Sequence, residues 1–104
     1  MPVDPAFRRL LYYLLASTRG ALNRILILRY LKENPVNANK LSTELNLDYK
    51  TIRHHIKVLE QNGLIVASQK DVYGALYFIT PYMESQFSIL EEIWAKVNKT
   101  SKEI

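Results

Sequence analysis

The sequence predicts a mainly α-helical domain with one small β-hairpin, and three observations point to this fold class. Apolar residues recur at helical spacing along most of the chain. Proline, asparagine and glycine residues interrupt that spacing at intervals that suit short helices. Residues 64–80 instead contain two short runs with strand character on either side of a polar turn. A length of 104 residues leaves room for one hydrophobic core, so we expect a single domain over residues 1–104.

The composition excludes several classes of protein. Hydrophobic residues make up 48% of the chain, which argues against a disordered protein. The chain has no cysteine, which excludes a disulfide framework, thiolate metal sites and a thiol redox switch. Its longest uncharged apolar runs, 10–18 and 72–83, are shorter than the roughly 20 residues that cross a bilayer. Residues 1–5 also lack the basic start of a secretory signal, so we expect a soluble, cytoplasmic protein.

The distribution of charge is more informative than its total. The chain carries 14 Lys and Arg against 10 Asp and Glu, a net charge of +4 that is compatible with a nucleic-acid partner without requiring one. Residues 1–32 hold six basic residues and one acidic residue, whereas residues 38–80 are nearly balanced. A case for DNA binding therefore depends on where the charges lie within one helix.

Two apolar helices are predicted in the first third of the chain. The first covers residues 6–17 and is apolar around most of its circumference. One of its faces is formed by Phe7, Leu10, Leu11, Leu14 and Leu15. The second covers about residues 19–33, has Ser17 or Thr18 as its N-cap and ends before Pro35. Its apolar residues point in several directions, which is typical of a central core helix.

Between Asn37 and Gly63 the sequence predicts two helices separated by a tight turn. Either Asn37 or Asn39 can cap the first helix. Leu47 is expected as a buried apolar residue in the turn, and Asp48 is a favourable N-cap for the second helix. Gly63 supplies the left-handed residue that ends the second helix.

The second of these helices, residues 48–62, carries an apolar stripe and a basic, polar face. The stripe that we expect to be buried is formed by Tyr49, Ile52, Ile56 and Leu59. The opposite face and its shoulders carry Lys50, Thr51, Arg53, His54 and Lys57. In a helix that enters the major groove, the N-terminal half reaches base edges, and Lys57, further along, is better placed for a phosphate. The exposed face of an ordinary amphipathic helix is also polar, but the preceding helix, the turn and the following hairpin favour DNA binding.

Other residues that are candidates for binding can also be explained by a purely structural role. Asn39 and Lys40 begin the first helix of the pair and can meet a phosphate, or can simply form a solvated face. Lys70 and Tyr73 lie at the tip of the hairpin and can contact the minor groove or backbone, or can simply form a turn. His55 falls beside the buried stripe and is expected to pack or bond to the backbone. Since adjacent residues on a helix point about 100° apart, His55 and its neighbour His54 cannot chelate one metal ion.

The order of elements is that of a winged helix, with a helix-turn-helix over residues 37–63 and a hairpin wing over residues 64–80. The end helices, 6–17 and 81–99, are predicted to form a dimer interface, because two recognition helices must lie roughly 34 Å apart to read successive turns of DNA. The final helix has heptad spacing. The predicted interface residues are Phe7, Leu10, Leu11, Leu14, Met83, Phe87, Leu90, Trp94 and Val97. The alternative is that both ends fold back on the core of their own chain.

One stretch also resembles a known family. Residues 41–65 read LSTELNLDYKTIRHHIKVLEQNGLI, which is similar to the helix-turn-helix of ArsR-like winged-helix regulators. The resemblance implies a homodimeric transcription factor of prokaryotic or archaeal type that reads an inverted repeat in double-stranded DNA. By matching position it gives base-reading or phosphate-contacting roles to Tyr49, Lys50, Thr51, Arg53 and His54.

The sequence departs from the metal-sensing members of that family. It has no cysteine, and its final helix contains Glu84, Glu91 and Glu92 but no histidine. We therefore expect no metal and no cofactor, and no small-molecule effector follows from the residues. The absence of a glycine-rich phosphate loop or a catalytic arrangement of side chains argues against an enzyme. The alternative function is a winged-helix protein-interaction module within a larger transcription assembly or other complex.

Overall fold

The computed structural model of the chain describes residues 3–17 and 20–102, with side chains as far as Asn98. Within these residues six α-helices and one two-stranded antiparallel sheet form a winged helix, as predicted. The helices are α1 (Pro5–Tyr12), α2 (Ala21–Glu33), α3 (Ala38–Leu45), α4 (Tyr49–Gln61), α5 (Pro81–Ser85) and α6 (Phe87–Lys102). The strands are β1 (Ile65–Ala67) and β2 (Tyr77–Ile79). None of the helices described is long and apolar enough to cross a membrane.

The first helix is shorter than predicted. Asp4 caps α1 by accepting the backbone N–H groups of Ala6 and Phe7 at 3.0 and 3.4 Å. After Tyr12 the chain widens into a π-helical turn over Tyr13–Ser17, so the predicted helix over 6–17 is α-helical in its first part alone. The predicted cap Thr18 and the predicted start of the second helix at residue 19 lie outside the described residues, as do residues 1–2 and 103–104 of the predicted domain.

The helix-turn-helix agrees with the sequence in its caps. The Asn37 side chain accepts the backbone N–H of Lys40 at 2.9 Å and starts α3. The Asp48 carboxylate accepts the backbone N–H of Thr51 at 3.0 Å and starts α4, and Gly63 follows α4 with φ of +72°. Leu47, which the sequence predicts as a buried residue of the turn, packs against the core but is only half-buried.

The buried side of α4 differs from the predicted stripe at one end. Ile52, Ile56 and Leu59 are fully buried, as predicted. Tyr49 is 38% exposed, because it occupies the first position of the helix, where the side chain faces a cleft beside the hairpin and not the core. His55 completes the buried face at 4% exposure, which confirms the prediction that it is packed.

The hairpin wing, residues 64–80, is anchored on the helix-turn-helix. Ile65 pairs with Ile79, Val66 with Phe78 and Ala67 with Tyr77. The backbone N–H of Tyr77 also donates to the carbonyl of Val36 at 2.9 Å, which joins β2 to the segment before α3. The position of the wing relative to α3 is therefore set by main-chain hydrogen bonds.

The predicted closing helix over 81–99 is two helices. Its backbone leaves the helical path at Gln86, between α5 and α6. The Gln86 side chain is buried, and its carbonyl oxygen accepts the backbone N–H of Asp4 at 3.1 Å. Tyr82 of α5 also donates to the Asp4 carboxylate, so the start of α1 is fastened to the segment where α5 meets α6.

Most of the residues that were predicted to form a dimer interface are buried, wholly or in part, within a single chain. Six of them are no more than 9% exposed in one chain, namely Phe7, Leu11, Leu14, Met83, Phe87 and Leu90. Leu10, Trp94 and Val97 are half-buried at its edge. The reason is that α1, the π-helical turn and α6 pack against one another, and the turn and α6 also pack against α2. The apolar pattern alone could not distinguish this arrangement from packing on a second copy.

Candidate nucleic-acid interface

One side of α4 presents four exposed basic or polar side chains. These residues, here called the recognition face, are Lys50, Arg53, His54 and Lys57. The predicted member Thr51 is half-buried, and both its backbone N–H and its hydroxyl bond to the carboxylate of Asp48, at 3.0 and 3.3 Å. Thr51 therefore acts in the helix cap, and the recognition face consists of the other four.

Arg53 does not project freely from α4. Its Nη1 donates a hydrogen bond of 2.7 Å to the hydroxyl of Tyr77 in β2. Tyr77 is 5% exposed, so its ring is part of the core while its hydroxyl reaches the interface. This hydrogen bond is the main reason that the pKa of Arg53 is raised, which keeps the guanidinium charged.

The tip of the wing bends back over the start of α3. The hydroxyl of Tyr73 accepts a hydrogen bond of 2.7 Å from the Asn39 amide. Tyr73 is nevertheless 79% exposed, because its ring lies on the surface and not in the core. Two predicted contact residues from distant parts of the chain are thus brought together.

A cleft of about 260 Å³ separates the wing from the helix-turn-helix. Its walls include Tyr49, Arg53, Asp71 and Tyr73. A neighbouring groove along α4 is lined by the recognition face together with the acidic residues Glu60 and Asp71. Because Glu60 lies towards the C-terminal end of α4, the N-terminal half of the recognition face is the more suitable part for an anionic ligand.

The start of α3 offers fewer free groups than predicted. The ammonium of Lys40 forms an exposed ion pair of 2.9 Å with Glu44, one helical turn away. The hydrogen bond with Glu44 is the largest cause of a raised pKa at Lys40. Lys70 is exposed near the wing tip and lines a second groove with Lys57.

A buried polar pair supports α4 from behind. Arg24 of α2 is buried, and its Nε donates to Nδ1 of His55 at 3.2 Å. Its Nη1 donates to the carbonyl of Leu14 in the π-helical turn, also at 3.2 Å. Burial first, and then the charges of Arg24 and His54, lower the pKa of His55. His55 is therefore neutral, with Nδ1 as the acceptor.

Sequence reasoning missed both Arg24 and Tyr77. Arg24 gave a weak signal, because it is the one charged residue among the buried positions of α2. Tyr77 gave none, since a tyrosine in a strand is ordinary and its partner Arg53 lies 24 residues earlier. Among the described residues, no three His, Asp or Glu side chains are grouped to hold a metal ion.

The helix-turn-helix matches a family of regulators. Residues 23–66 match the model of the family described as bacterial regulatory protein, arsR family. The match covers most of α2, all of α3 and α4 and most of β1, and it agrees with the resemblance seen in the sequence. The matched family is one of transcriptional regulators and not of enzymes. None of the curated proteins compared with the chain is similar enough to count as a match.

Solved structures share the fold over most of the chain. MarR of Staphylococcus aureus, determined with salicylate and kanamycin, has a TM-score of 0.66 and 19% identity over 94% of this chain and 67% of its own. A probable transcriptional regulator from Pseudomonas aeruginosa has a TM-score of 0.67 and 20% identity, covering 91% and 74%. Reduced HlyU from Vibrio cholerae has a TM-score of 0.61 and 20% identity, covering 88% and 90%. The chain thus has the winged-helix fold of MarR-like and SlyA-like regulators.

Proposed function

We propose that this winged-helix regulator is a cytoplasmic homodimer of prokaryotic or archaeal type that binds specific sequences in double-stranded DNA, with α4 in the major groove. The observation that carries the proposal is the recognition face itself. Four basic or polar side chains project from one side of α4, while its other side is fixed by a fully buried apolar stripe. A helix held in this way can meet base edges without losing its own packing.

The side chains have different roles in this proposal. Lys50, Arg53 and His54 lie in the N-terminal half of α4 and meet base edges, where arginine can bond guanine through two N–H groups. Lys57 meets a phosphate. The wing, through Lys70 and Tyr73, lies along the DNA backbone or the minor groove.

The size of the domain supports the proposed homodimer. The largest extents of the chain are 36 and 34 Å, so one copy places one α4 against about one turn of DNA. Two copies related by a two-fold axis would present two recognition faces to an inverted repeat. The half-buried residues Leu10, Trp94 and Val97 at the end helices supply an apolar edge on which a second copy can pack.

The proposal is tested by selecting duplexes from a random pool with the intact protein and measuring binding by fluorescence anisotropy. We expect a palindromic consensus and an affinity that falls steeply with salt, because binding releases counterions. Replacing Arg53 by alanine should weaken binding to the selected duplex by about 1–3 kcal/mol if Arg53 reads a base. The matched control is Arg9→Ala, which removes an exposed arginine on α1 and should have little effect. Absence of binding at low salt would refute the proposal.

A second function is favoured by a different surface. The outer face of the wing exposes the apolar side chains of Val66, Leu76 and Phe78. Such a surface suits contact with another protein, as in a module of a larger transcription assembly or other complex. The recognition face argues for DNA, because a protein-contact surface is more often apolar or mixed. Failure of the selection experiment would favour this alternative.

A further inference from the structure

The wing contributes a buried side chain to the recognition face. We infer that Tyr77 is a positioning residue for sequence reading, because its hydroxyl holds the guanidinium of Arg53 in one orientation before DNA arrives. The inference rests on the proposed function and adds a specificity-determining residue that does not itself touch DNA. Three features of the contact carry it.

The first feature is the rigidity of Tyr77. Its backbone N–H is bonded to Val36, it pairs with Ala67 across the sheet, and its ring belongs to the hydrophobic core. A side chain held on all these sides has one position for its hydroxyl oxygen. That oxygen is therefore a fixed acceptor at the edge of the interface.

The second feature is the flexibility that Arg53 would otherwise have. Arginine is a long side chain whose ordering on binding is entropically unfavourable. The hydrogen bond of 2.7 Å from Nη1 to Tyr77 limits that freedom in the free protein. Part of the ordering is thus complete before the complex forms, which is the meaning of preorganisation.

The third feature is the set of N–H donors of Arg53 that the hydrogen bond to Tyr77 does not use. A guanidinium has five N–H donors in one plane, and the contact with Tyr77 engages Nη1. Within the described part of the chain, Nε and Nη2 of Arg53 have no hydrogen-bond partner. These two nitrogens form one edge of the plane, which matches two acceptors on a guanine edge.

Tyr82 provides a matched control outside the proposed DNA interface. It lies in α5, and its hydroxyl donates to the carboxylate of Asp4, so it also holds a side chain from a distant part of the chain. The Y82F substitution removes the same one oxygen atom as Y77F. It therefore separates the general effect of losing a tyrosine hydroxyl from an effect on Arg53.

The test compares binding to the duplex selected by the wild-type protein with binding to a scrambled duplex of the same composition. It is carried out for Y77F, Y82F, R53A and the double variant R53A/Y77F. The ratio of the two affinities measures sequence discrimination. We expect Y77F to lower this ratio by about 5-fold, the size of one typical hydrogen bond. We expect Y82F to leave the ratio unchanged and R53A/Y77F to equal R53A, because Tyr77 acts through Arg53.

Several outcomes overturn the inference. An unchanged ratio in Y77F does so, and so does an additional loss when Y77F is combined with R53A, because a purely structural role would weaken both proteins. If the wild-type protein does not distinguish the two duplexes, the proposed function fails and the inference with it. If the wild-type protein distinguishes the two duplexes and Y77F distinguishes them equally well, the inference fails but the proposed function stands.

Because Tyr77 is also a core residue, a second measurement uses the wild-type chain in the absence of DNA. Nitrogen-15 relaxation reports the order of each arginine Nε–H bond on the picosecond to nanosecond timescale. We expect the Nε–H of Arg53 to be more ordered than that of Arg9, an exposed arginine on α1. Equal order at the two sites would overturn the inference even if Y77F failed to fold.

Discussion

At the scale of single residues, His55 is defined by its surroundings and not by its position in the sequence. Its neighbour His54 is exposed on the recognition face, whereas His55 is buried behind α4 and accepts a hydrogen bond from Arg24. A protonated imidazole would lose that acceptor and place two cations together in the core. The two adjacent histidines therefore differ in role, because His54 is accessible to a ligand whereas His55 stabilises the fold.

The buried histidine predicts a dependence of stability on pH. The pKa of His55 is lowered from its usual value of 6.5, chiefly by burial. The unfolded chain therefore binds the proton more readily, so the contribution of His55 to stability is complete above about pH 6.5 and is lost as the pH falls through the lower folded value. Thermal unfolding of the wild-type protein should show a falling Tm in that range.

The control for this prediction is His55→Asn, whose amide oxygen can accept from Arg24 but does not titrate. The Tm of this variant should depend less on pH around and below pH 6.5 than the Tm of the wild-type protein. Asp4 and Glu92 also have lowered pKa values, with usual values of 3.8 and 4.5, so their effects belong to more acidic solutions. An identical slope in wild type and variant would contradict the role assigned to His55.

At the scale of elements, the junction between the start of α2 and α4 is closely packed. Gly20 precedes α2 with φ of +81°, and a Cβ there would lie 2.8 Å from Cε1 of His55. The Arg24 side chain spans the same junction, bonding Leu14 on one side and His55 on the other. The orientation of α4 thus depends on the first two helices as well as on its own helix-turn-helix.

This junction predicts that Gly20→Ala is more destabilising than Gly74→Ala. Both glycines have left-handed backbones, with φ of +81° and +84°, so both substitutions carry a similar backbone penalty of about 1 kcal/mol. At Gly74 nothing lies within 4 Å of the added Cβ, whereas at Gly20 it meets a buried ring that Arg24 holds in place. Urea denaturation should show an additional loss of about 1–3 kcal/mol for Gly20→Ala. Equal losses would mean that His55 can move aside.

At the scale of the whole molecule, the apolar end helices are used mainly within one chain. Arg8 and Tyr12 of α1 bond to Glu92 of α6, which closes the two ends over the core. Trp94 remains at the margin, half-buried beneath the guanidinium of Arg29 at 4.8 Å from its ring centre. A dimer formed by these ends therefore has a narrower apolar surface than the sequence predicted.

The proposed homodimer predicts that a negative charge introduced at Trp94 weakens self-association. Light scattering should give twice the chain mass for the intact protein, and Trp94→Glu should weaken self-association at least about tenfold, because a carboxylate would be buried against the second copy. The matched control is Val66→Glu, which places the same charge on the exposed outer face of the wing. A monomeric wild-type protein would contradict the dimer, and dissociation by Val66→Glu alone would move the interface to the wing.

Features that depend on residues close together along the chain could be predicted from the sequence. The caps at Asn37 and Asp48 and the glycine exit at Gly63 are local geometry, so residue type and spacing were enough to predict them. The inner stripe of Ile52, Ile56 and Leu59 follows in the same way from the helical period. The winged-helix class and the location of the recognition face could therefore be predicted from the residues.

The contacts between residues that are distant along the chain became visible in the folded structure and could not be predicted from the sequence. Periodicity shows that a face is buried but does not show what covers it, so the end helices were assigned to a second copy although six of their nine residues lie in the core of one chain. The contacts of Arg53 with Tyr77 and of His55 with Arg24 join residues 24 and 31 positions apart. Such contacts depend on how rigid elements pack, and no spacing rule along the chain contains that information.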